Sequence, residues 1–454
     1  MGIICLIIGL AILMIMCMKG IHIFISVFTT SLFLAVTAWL VSPDMLNPVD
    51  ALLQVYTGGL GGYFGSFFFI FVLGAIFGKL TAISGAADSV ASFIIGKFGE
   101  RAVIPSLVAA CAILAYGGVS VFVALFTVYS MMVSLFRKAN LPRRLIPAVY
   151  FAGAGTFVMI MPGSPQIQNL IPMKFLGTSA TAGLVPGMLT ALFQVTLVII
   201  YLTWLFKRVK AKGEGWVEDE KTAKAEEGKK DRQLPNVLVA LLPMLILLVV
   251  LNILKWDPAI ALFCAIIAAL LVYLRYLDWK KLVPNLAAGT MEGVTSLFNT
   301  AVIVGFGALV MTLPAFKESF QAIAQSGLNP LVVTAISVGA LVFISGSGSG
   351  ALSIAMPMIA AMFPATVVDQ GSLHRVATMA SMSTTPPFNG LIITVFSVCG
   401  VSHKEGYGPV GTLTLAIPLL AMMFMLRCTP FYLHLSRRCR NNVNPLMRAI
   451  RRQT

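Results

Sequence analysis

Four short polar runs interrupt long apolar stretches, and they are where this sequence could do chemistry. They are Tyr116-Gly117-Gly118-Val119-Ser120, Met161-Pro162-Gly163-Ser164-Pro165-Gln166-Ile167-Gln168-Asn169, Ser345-Gly346-Ser347-Gly348-Ser349-Gly350 and Ser383-Thr384-Thr385-Pro386-Pro387-Phe388-Asn389. A helix that restarts after such a break presents free N–H groups and a partial positive charge, which suit a carboxylate. Unwound carbonyls and helix C-termini suit a cation. The side chains in the runs are neutral donors and acceptors, matched to a hydroxylated anion. The candidate substrate-binding residues are therefore Gly117, Gly118, Ser120, Ser164, Gln166, Gln168, Asn169, Ser345, Ser347, Ser349, Thr384, Thr385 and Asn389.

The elements that must carry these runs are set by composition. Of 454 residues, 58% are hydrophobic and 11% charged, with a mean hydropathy of +0.92. A soluble domain carries about 25% charge, so this chain cannot cover a soluble surface. Its apolar stretches are each about the length that crosses a hydrocarbon core roughly 30 Å thick. The fold class is an all-α polytopic membrane protein in a lipid bilayer. The net charge of +15 reads as the Lys/Arg excess of cytoplasmic loops, and nucleic acid is not an expected partner. The seven cysteines show no CxxC pairing and read as packing residues, with neither a disulfide framework nor a metal site. The apolar run at 2–18 has no basic residue ahead of it and is expected to be the first membrane helix, not a cleaved leader.

Two apolar halves flank one polar insert. Lys207 to Arg232 holds nine basic and seven acidic residues, too polar to fold alone. The expected organisation is an N-terminal transmembrane repeat at 1–206, a flexible cytoplasmic loop at 207–235, a C-terminal repeat at 236–430 and a basic tail at 431–454. Helices are expected at 2–18, 20–41 and 63–84, then at 236–254, 257–275 and 290–313. Gly74, Gly78, Gly305 and Gly307 in the third helix of each half read as close-packing residues.

Residues 102–136 are too long for one crossing, and each arm is too short for two. Lys97 and Arg101 precede the stretch; Arg137, Lys138, Arg143 and Arg144 follow it, so both ends read as cytoplasmic. That pattern predicts a re-entrant hairpin with its tip at Gly117-Gly118. The arms 331–344 and 351–363 around the Ser-Gly run predict a second. The proline breaks, inside 145–173 and 374–402, predict two broken helices. Tips and breaks recur in the same order at nearly equal separation, which predicts an internal repeat. With the 207–235 loop cytoplasmic, a count of five crossings plus a hairpin starts the second half on the opposite face, so inverted repeats of about five transmembrane helices each are expected. The same count places the tail outside despite its arginines; either one helix is miscounted or the tail ignores the charge rule, and both stay open.

Ionisable residues inside the apolar stretches are scarce. Glu292 reads as interfacial near the start of its helix, and Asp88 as a loop residue. His374 and Arg375 read as anchors at a helix end, with His374 the one side chain suited to carry a coupling proton, its ordinary pKa being about 6.5. No HExxH, GxSxG, Walker loop or carboxylate pair is present, so neither an enzyme nor an ATP-driven pump is expected, and no cofactor is implied. A channel would show a continuous polar stripe, whereas the sequence shows only local breaks.

At YGGVSVFVALF, MPGSPQIQNLIP, SGSGSGALSIAMP and TTPPFNG the chain resembles the gluconate permease (GntP) family of the ion transporter superfamily. The resemblance covers most of the chain outside the polar loop and the tail. It implies proton-coupled uptake of gluconate and related small carboxylates at the bacterial inner membrane. The wider superfamily implies two hairpins and two unwound helices at the site, in a homodimer with an elevator motion. Sugar-acid members typically carry Pro-Pro-His-Pro after the first break, where this chain has MPGSPQIQN. That departure favours another small monocarboxylate, such as 3-hydroxybutyrate. Sodium coupling through Ser, Thr, Asn and carbonyls, or an anion channel, are the alternatives. Cysteines introduced beside Lys97 and Arg137 are expected to react with an impermeant thiol reagent from the cytoplasmic face only; reaction from opposite faces removes the hairpin and the inverted repeat together.

Overall fold

The computed structural model describes residues 2–19, 21–41, 47–98, 102–119, 121–217, 233–314, 316, 318, 327–387 and 389–429. Among these every regular element is a helix. The first half contains α1 (Gly2–Met18), α2 (Ile23–Val41), α3 (Pro48–Ile83), α4 (Ala86–Phe98), α5 (Val103–Tyr116), α6 (Val121–Lys138), α7 (Ile146–Ala154), α8 (Phe157–Ile160), α9 (Ile167–Leu176) and α10 (Leu184–Ala211). The second contains α11 (Val237–Asn252), α12 (Pro258–Val272), α13 (Trp279–Thr312), α14 (Pro330–Ser345), α15 (Gly348–Met362), α16 (Gln370–Ser383), α17 (Gly390–Cys399) and α18 (His403–Thr429). Five of them, α2, α3, α10, α13 and α18, are long and apolar enough to cross a membrane. Large apolar side chains such as Leu192, Leu238 and Leu271 stand exposed on outer faces, as lipid contact requires.

The third helix of each half is longer than its apolar pattern suggests. α3 begins at Pro48, where Asn47 caps it by accepting from the Asp50 N–H, and α13 begins at Trp279, capped by Asp278. Good caps let a helix start in polar sequence, outside the apolar run that reveals it. At 34 residues and about 1.5 Å per residue, α13 is about 50 Å long, longer than a hydrocarbon core. This places Glu292 well inside the helix, not at its start.

α3 and α13 pack antiparallel and bring the two halves into direct contact. A Cβ at Gly293 would stand 2.9 Å from the Phe71 carbonyl oxygen, and one at Gly305 would stand 2.8 Å from that of Tyr56. Of the glycines flagged by sequence, Gly305 makes this approach. Gly307 meets Ile354 of α15 instead, and Gly74 has no neighbour nearer than Leu262 at 4.0 Å. Local spacing shows which glycines lie together on one helix, but not which face meets a partner.

The hairpins α5–α6 and α14–α15 sit in separate cores. α5 and α6 pack with α7, and α17 lends Ile392, Val395 and Phe396 to the same apolar cluster. α14 and α15 pack with α16, and Ile171 of α9 joins them. Each core thus holds one half of each broken helix, so the two breaks are brought together where the cores meet.

The polar insert departs from expectation at its start. α10 runs on to Ala211, and Gly213, at φ 69°, turns the chain back. Glu214 then pairs with Arg144, and the Trp216 N–H donates to Asn140 Oδ1 at 2.9 Å. Residues 212–217 are therefore docked on the segment after α6. Residues 218–232 and the tail from 430 lie outside the described residues, as do the questions of loop flexibility and tail side.

Gly293→Val is expected to destabilise the protein by about 1–3 kcal/mol through overpacking, read as a lowered melting temperature in detergent. Gly61→Val, where nothing lies within 4 Å, is the matched control and is expected to shift little.

Candidate functional site

Each interruption is a helix end followed by a new helix start. At the first tip, α5 closes on Gly117, and Gly118 takes φ +90° before α6 begins. At the second, Gly346 takes φ +68°, and Ser347 caps α15 by accepting from the Gly350 N–H at 3.1 Å. In the first broken helix the chain leaves α8 at Met161 and re-enters at α9, whose N-cap, Gln166, makes no side-chain cap bond. In the second, Asn389 caps α17, its Oδ1 accepting from Leu391 N–H at 2.9 Å.

A side-chain amide from each break fastens the neighbouring hairpin. Gln166 Nε2 donates to the Ala115 carbonyl at 2.6 Å, at the end of α5. Asn389 Nδ2 donates to the Gly346 carbonyl at 2.7 Å, at the end of α14. The Tyr116 hydroxyl, donating to Pro162 O at 3.1 Å, and Thr384 Oγ1, donating to Gly339 O at 2.6 Å, reinforce the two brackets. The Gly346 carbonyl is one that a helix end would otherwise leave open, whereas Ala115 O also accepts from the Gly118 N–H at 3.2 Å and Gly339 lies within α14.

His374 and Arg375 correct the reading of helix-end anchors: both are fully buried between the two broken helices. Arg375 donates to Ile160 O at 2.8 Å, to Ala182 O at 2.7 and 3.1 Å, and to Ala180 O at 3.3 Å. Ile160 ends α8, and the alanines belong to the loop between α9 and α10. Among the described residues no carboxylate pairs with this guanidinium. The planar guanidinium spreads its donors over three nitrogens in a fixed fork, so Nε, Nη1 and Nη2 each meet a carbonyl. Beside it, His374 Nε2 lies 3.0 Å from Asn169 Oδ1, and its Nδ1 lies 2.7 Å from Thr178 Oγ1. The Asn169 amide donates to Ser164 O and Ala180 O, so its oxygen faces the imidazole. Nε2 is then the donor, and Nδ1 accepts from Thr178.

In front of the breaks opens a cavity of about 1930 Å³. Val121, Ile167, Gly348 and Gly390, the first residues of α6, α9, α15 and α17, all line it. Four helix N-termini thus face one space, each carrying about half a positive charge. Gln168 Oε1 is buried there without a hydrogen-bond partner. The other end of the cavity reaches Ile83, Asp88 and Leu234, near the polar insert.

The fold brings together at this wall Gly118, Gln166, Gln168, Ser347, Ser349, Thr385 and Asn389. Gly117, Ser164, Asn169, Thr384 and His374 are not in the lining; Ser164, Asn169 and His374 are fully buried behind it. Ser120 lies outside the described residues, as does the side chain of Ser345. Sequence reasoning missed the wall formed by α13. Asn285, Glu292, Thr295, Ser296, Asn299 and Thr300 all line the cavity, so a polar stripe does run along one helix. Its members, at 285, 292, 295–296 and 299–300, recur one to two turns apart among apolar and small residues, and only their shared helical face makes them a stripe. Arg375 had a signal, being an arginine inside an apolar stretch; Thr178 had none.

The family described as GntP family permease matches residues 1–385. An uncharacterized transporter, YxjC, of Bacillus subtilis is 31% identical over 410 residues, spanning 80% of this chain and 86% of its own. A gluconate permease of Bacillus licheniformis is 39% identical over 75 residues, 16% of each chain. The crystal structure of the YdaH transporter of Alcanivorax borkumensis superposes with a TM-score of 0.57 at 14% identity, covering 91% of this chain and 98% of that one; it speaks for the fold.

Arg375→Gln leaves buried carbonyls unpaired and is expected to cost about 3 kcal/mol or more, seen as a lowered melting temperature in detergent. Arg375→Lys should recover only part of the loss. Full stability in Arg375→Gln would show that the guanidinium's bonds to Ile160, Ala180 and Ala182 hold nothing.

Proposed function

The chain belongs to the GntP family of permeases, and on that premise we propose a secondary active symporter for a small organic anion. The substrate is a sugar acid such as gluconate or a hydroxy monocarboxylate such as 3-hydroxybutyrate, the coupling ion is the proton, and the membrane is the bacterial inner membrane. The protein is a multi-pass permease and not an enzyme; the substrate, the ion and the membrane are the proposal.

The observation that carries this reading is the convergence of four helix N-termini, with uncharged Gln, Ser, Thr and Asn side chains, on one cavity. Backbone N–H groups and partial positive charge hold a carboxylate, while amides and hydroxyls fit the hydroxyl groups of a sugar or hydroxy acid. Irregular backbone at membrane depth is tolerated where it lines a cavity, and paired broken helices with hairpins are a recurrent plan for secondary transporters. Ser347, Ser349, Gln168 and Asn389 are proposed to touch the substrate.

The same proposal includes inverted repeats with re-entrant hairpins. The arms of 14 to 18 residues reach about 21–27 Å, short of a full crossing. The matched brackets from Gln166 and Asn389 recur in the two halves. With the polar insert placed inside by its charge, the cavity opens toward the cytoplasm. The local likeness to a gluconate permease supports a sugar acid, and the MPGSPQIQN break supports a smaller hydroxy acid. A homodimer with an elevator motion completes the proposal, following the wider superfamily. The stripe on α13 supports a second reading, an anion channel.

Reconstituted vesicles separate these readings. Accumulation of a labelled monocarboxylate against its gradient, driven by an imposed pH gradient, is the expected result. Accumulation that follows sodium and ignores pH would transfer the coupling to sodium. Equilibration without accumulation under any ion gradient would make the protein a channel. Ser347→Ala and Gln168→Ala are each expected to weaken substrate affinity about ten- to a hundred-fold, the loss of a hydrogen bond to a charged ligand. His374→Gln decides whether His374 carries the proton: proton-driven accumulation that persists restricts it to holding Asn169.

A further inference from the structure

The cavity is larger than a small monocarboxylate needs, since a fitted pocket for a drug-sized ligand is about 300–1000 Å³. Much of it is therefore a passage to the four helix starts. One wall is the polar face of α13, with Asn285, Glu292, Thr295 and Asn299 following one another at helical spacing. That face ends at the second hairpin, where Ile303 lies 3.0 Å from the place of a Gly350 Cβ. On the same wall, Lys79 of α3, which packs directly against α13 beside Gly289, reaches Glu292 Oε1 at 2.9 Å.

Among the described residues that line the cavity, Lys79 alone is cationic. Its ion pair is open to the passage, with the two side chains 22% and 50% exposed. An exposed pair of this kind contributes about 0–1 kcal/mol, so its cation can exchange one carboxylate for another at little cost. We propose that Lys79 is a relay site for carboxylates between the cavity mouth and the hairpin tips, and that Glu292 is its built-in competitor. An arriving anion displaces Glu292 from the ammonium; the return of Glu292 releases the anion onward. The counter-ion keeps the relay weak, which a passage requires. This inference rests on the organic-anion reading and adds a second anion site to it.

The test is transport kinetics of Lys79→Gln, Glu292→Gln and the double variant in reconstituted vesicles, with the labelled monocarboxylate that the wild type accumulates. Lys79→Gln is expected to raise KM about five-fold, the equivalent of one exposed charge contact, and to flatten the dependence of KM on ionic strength, because the screened interaction is gone. Glu292→Gln is expected to lower KM and Vmax together, as the anion lingers on an unopposed lysine. The double variant should match Lys79→Gln. Unchanged kinetics and unchanged salt dependence in Lys79→Gln would overturn the relay while leaving the symporter intact. A wild type that moves no organic anion would overturn both.

Discussion

Backbone groups released inside an apolar body must find partners, and the rest of this structure depends on that constraint. Four interruptions free carbonyls and N–H groups where lipid can satisfy neither. Carbonyls at and beside the breaks are taken up by the chain's own amides and guanidinium: Gln166 on Ala115, Asn389 on Gly346 and Arg375 on Ile160, Ala180 and Ala182. The helix starts face the cavity. The partition is electrostatic in effect, since filling the carbonyls internally leaves the positive helix ends turned toward the space where an anion would lie.

Arg375 ties this arrangement across the two halves. A buried guanidinium is expensive unless every donor is placed, and here the placement is supplied by the first broken helix and the loop behind it. His374 adds a second bond across the same junction through Asn169. The breaks therefore hold one another in register, and the brackets to the hairpin tips extend that register to α5 and α14. The glycine contacts between α3 and α13 join the halves elsewhere, by close approach of backbones instead of polar bonds.

The cavity combines two environments. At the breaks its wall is neutral in side chains and positive in helix ends. Along α13 and α3 it is polar with one exposed ion pair. An anion would gain most where the helix ends converge and least where a fixed carboxylate competes for the cation.

Much of this was legible from the chain. Apolar length marked α2, α3 and α13 as membrane helices, and the Gly-Gly and Ser-Gly runs marked the turns of two helical hairpins. The proline-rich breaks gave the two broken helices, because Pro and Gly act on their own backbone and need no distant partner. The family was likewise readable from the four polar strings. The sequence did not reveal which polar residues face the cavity: Asn169 and Ser164 stand behind the wall while Gln168 and Asn389 stand in it. Nor did it reveal the stripe on α13, the pairing of Lys79 with Glu292, or Arg375 seated on carbonyls some two hundred residues away. Chain-local physics fixes where a helix must break; which groups then meet is decided by how the two halves pack, because a hydrogen bond depends on distance in space and not on separation along the chain.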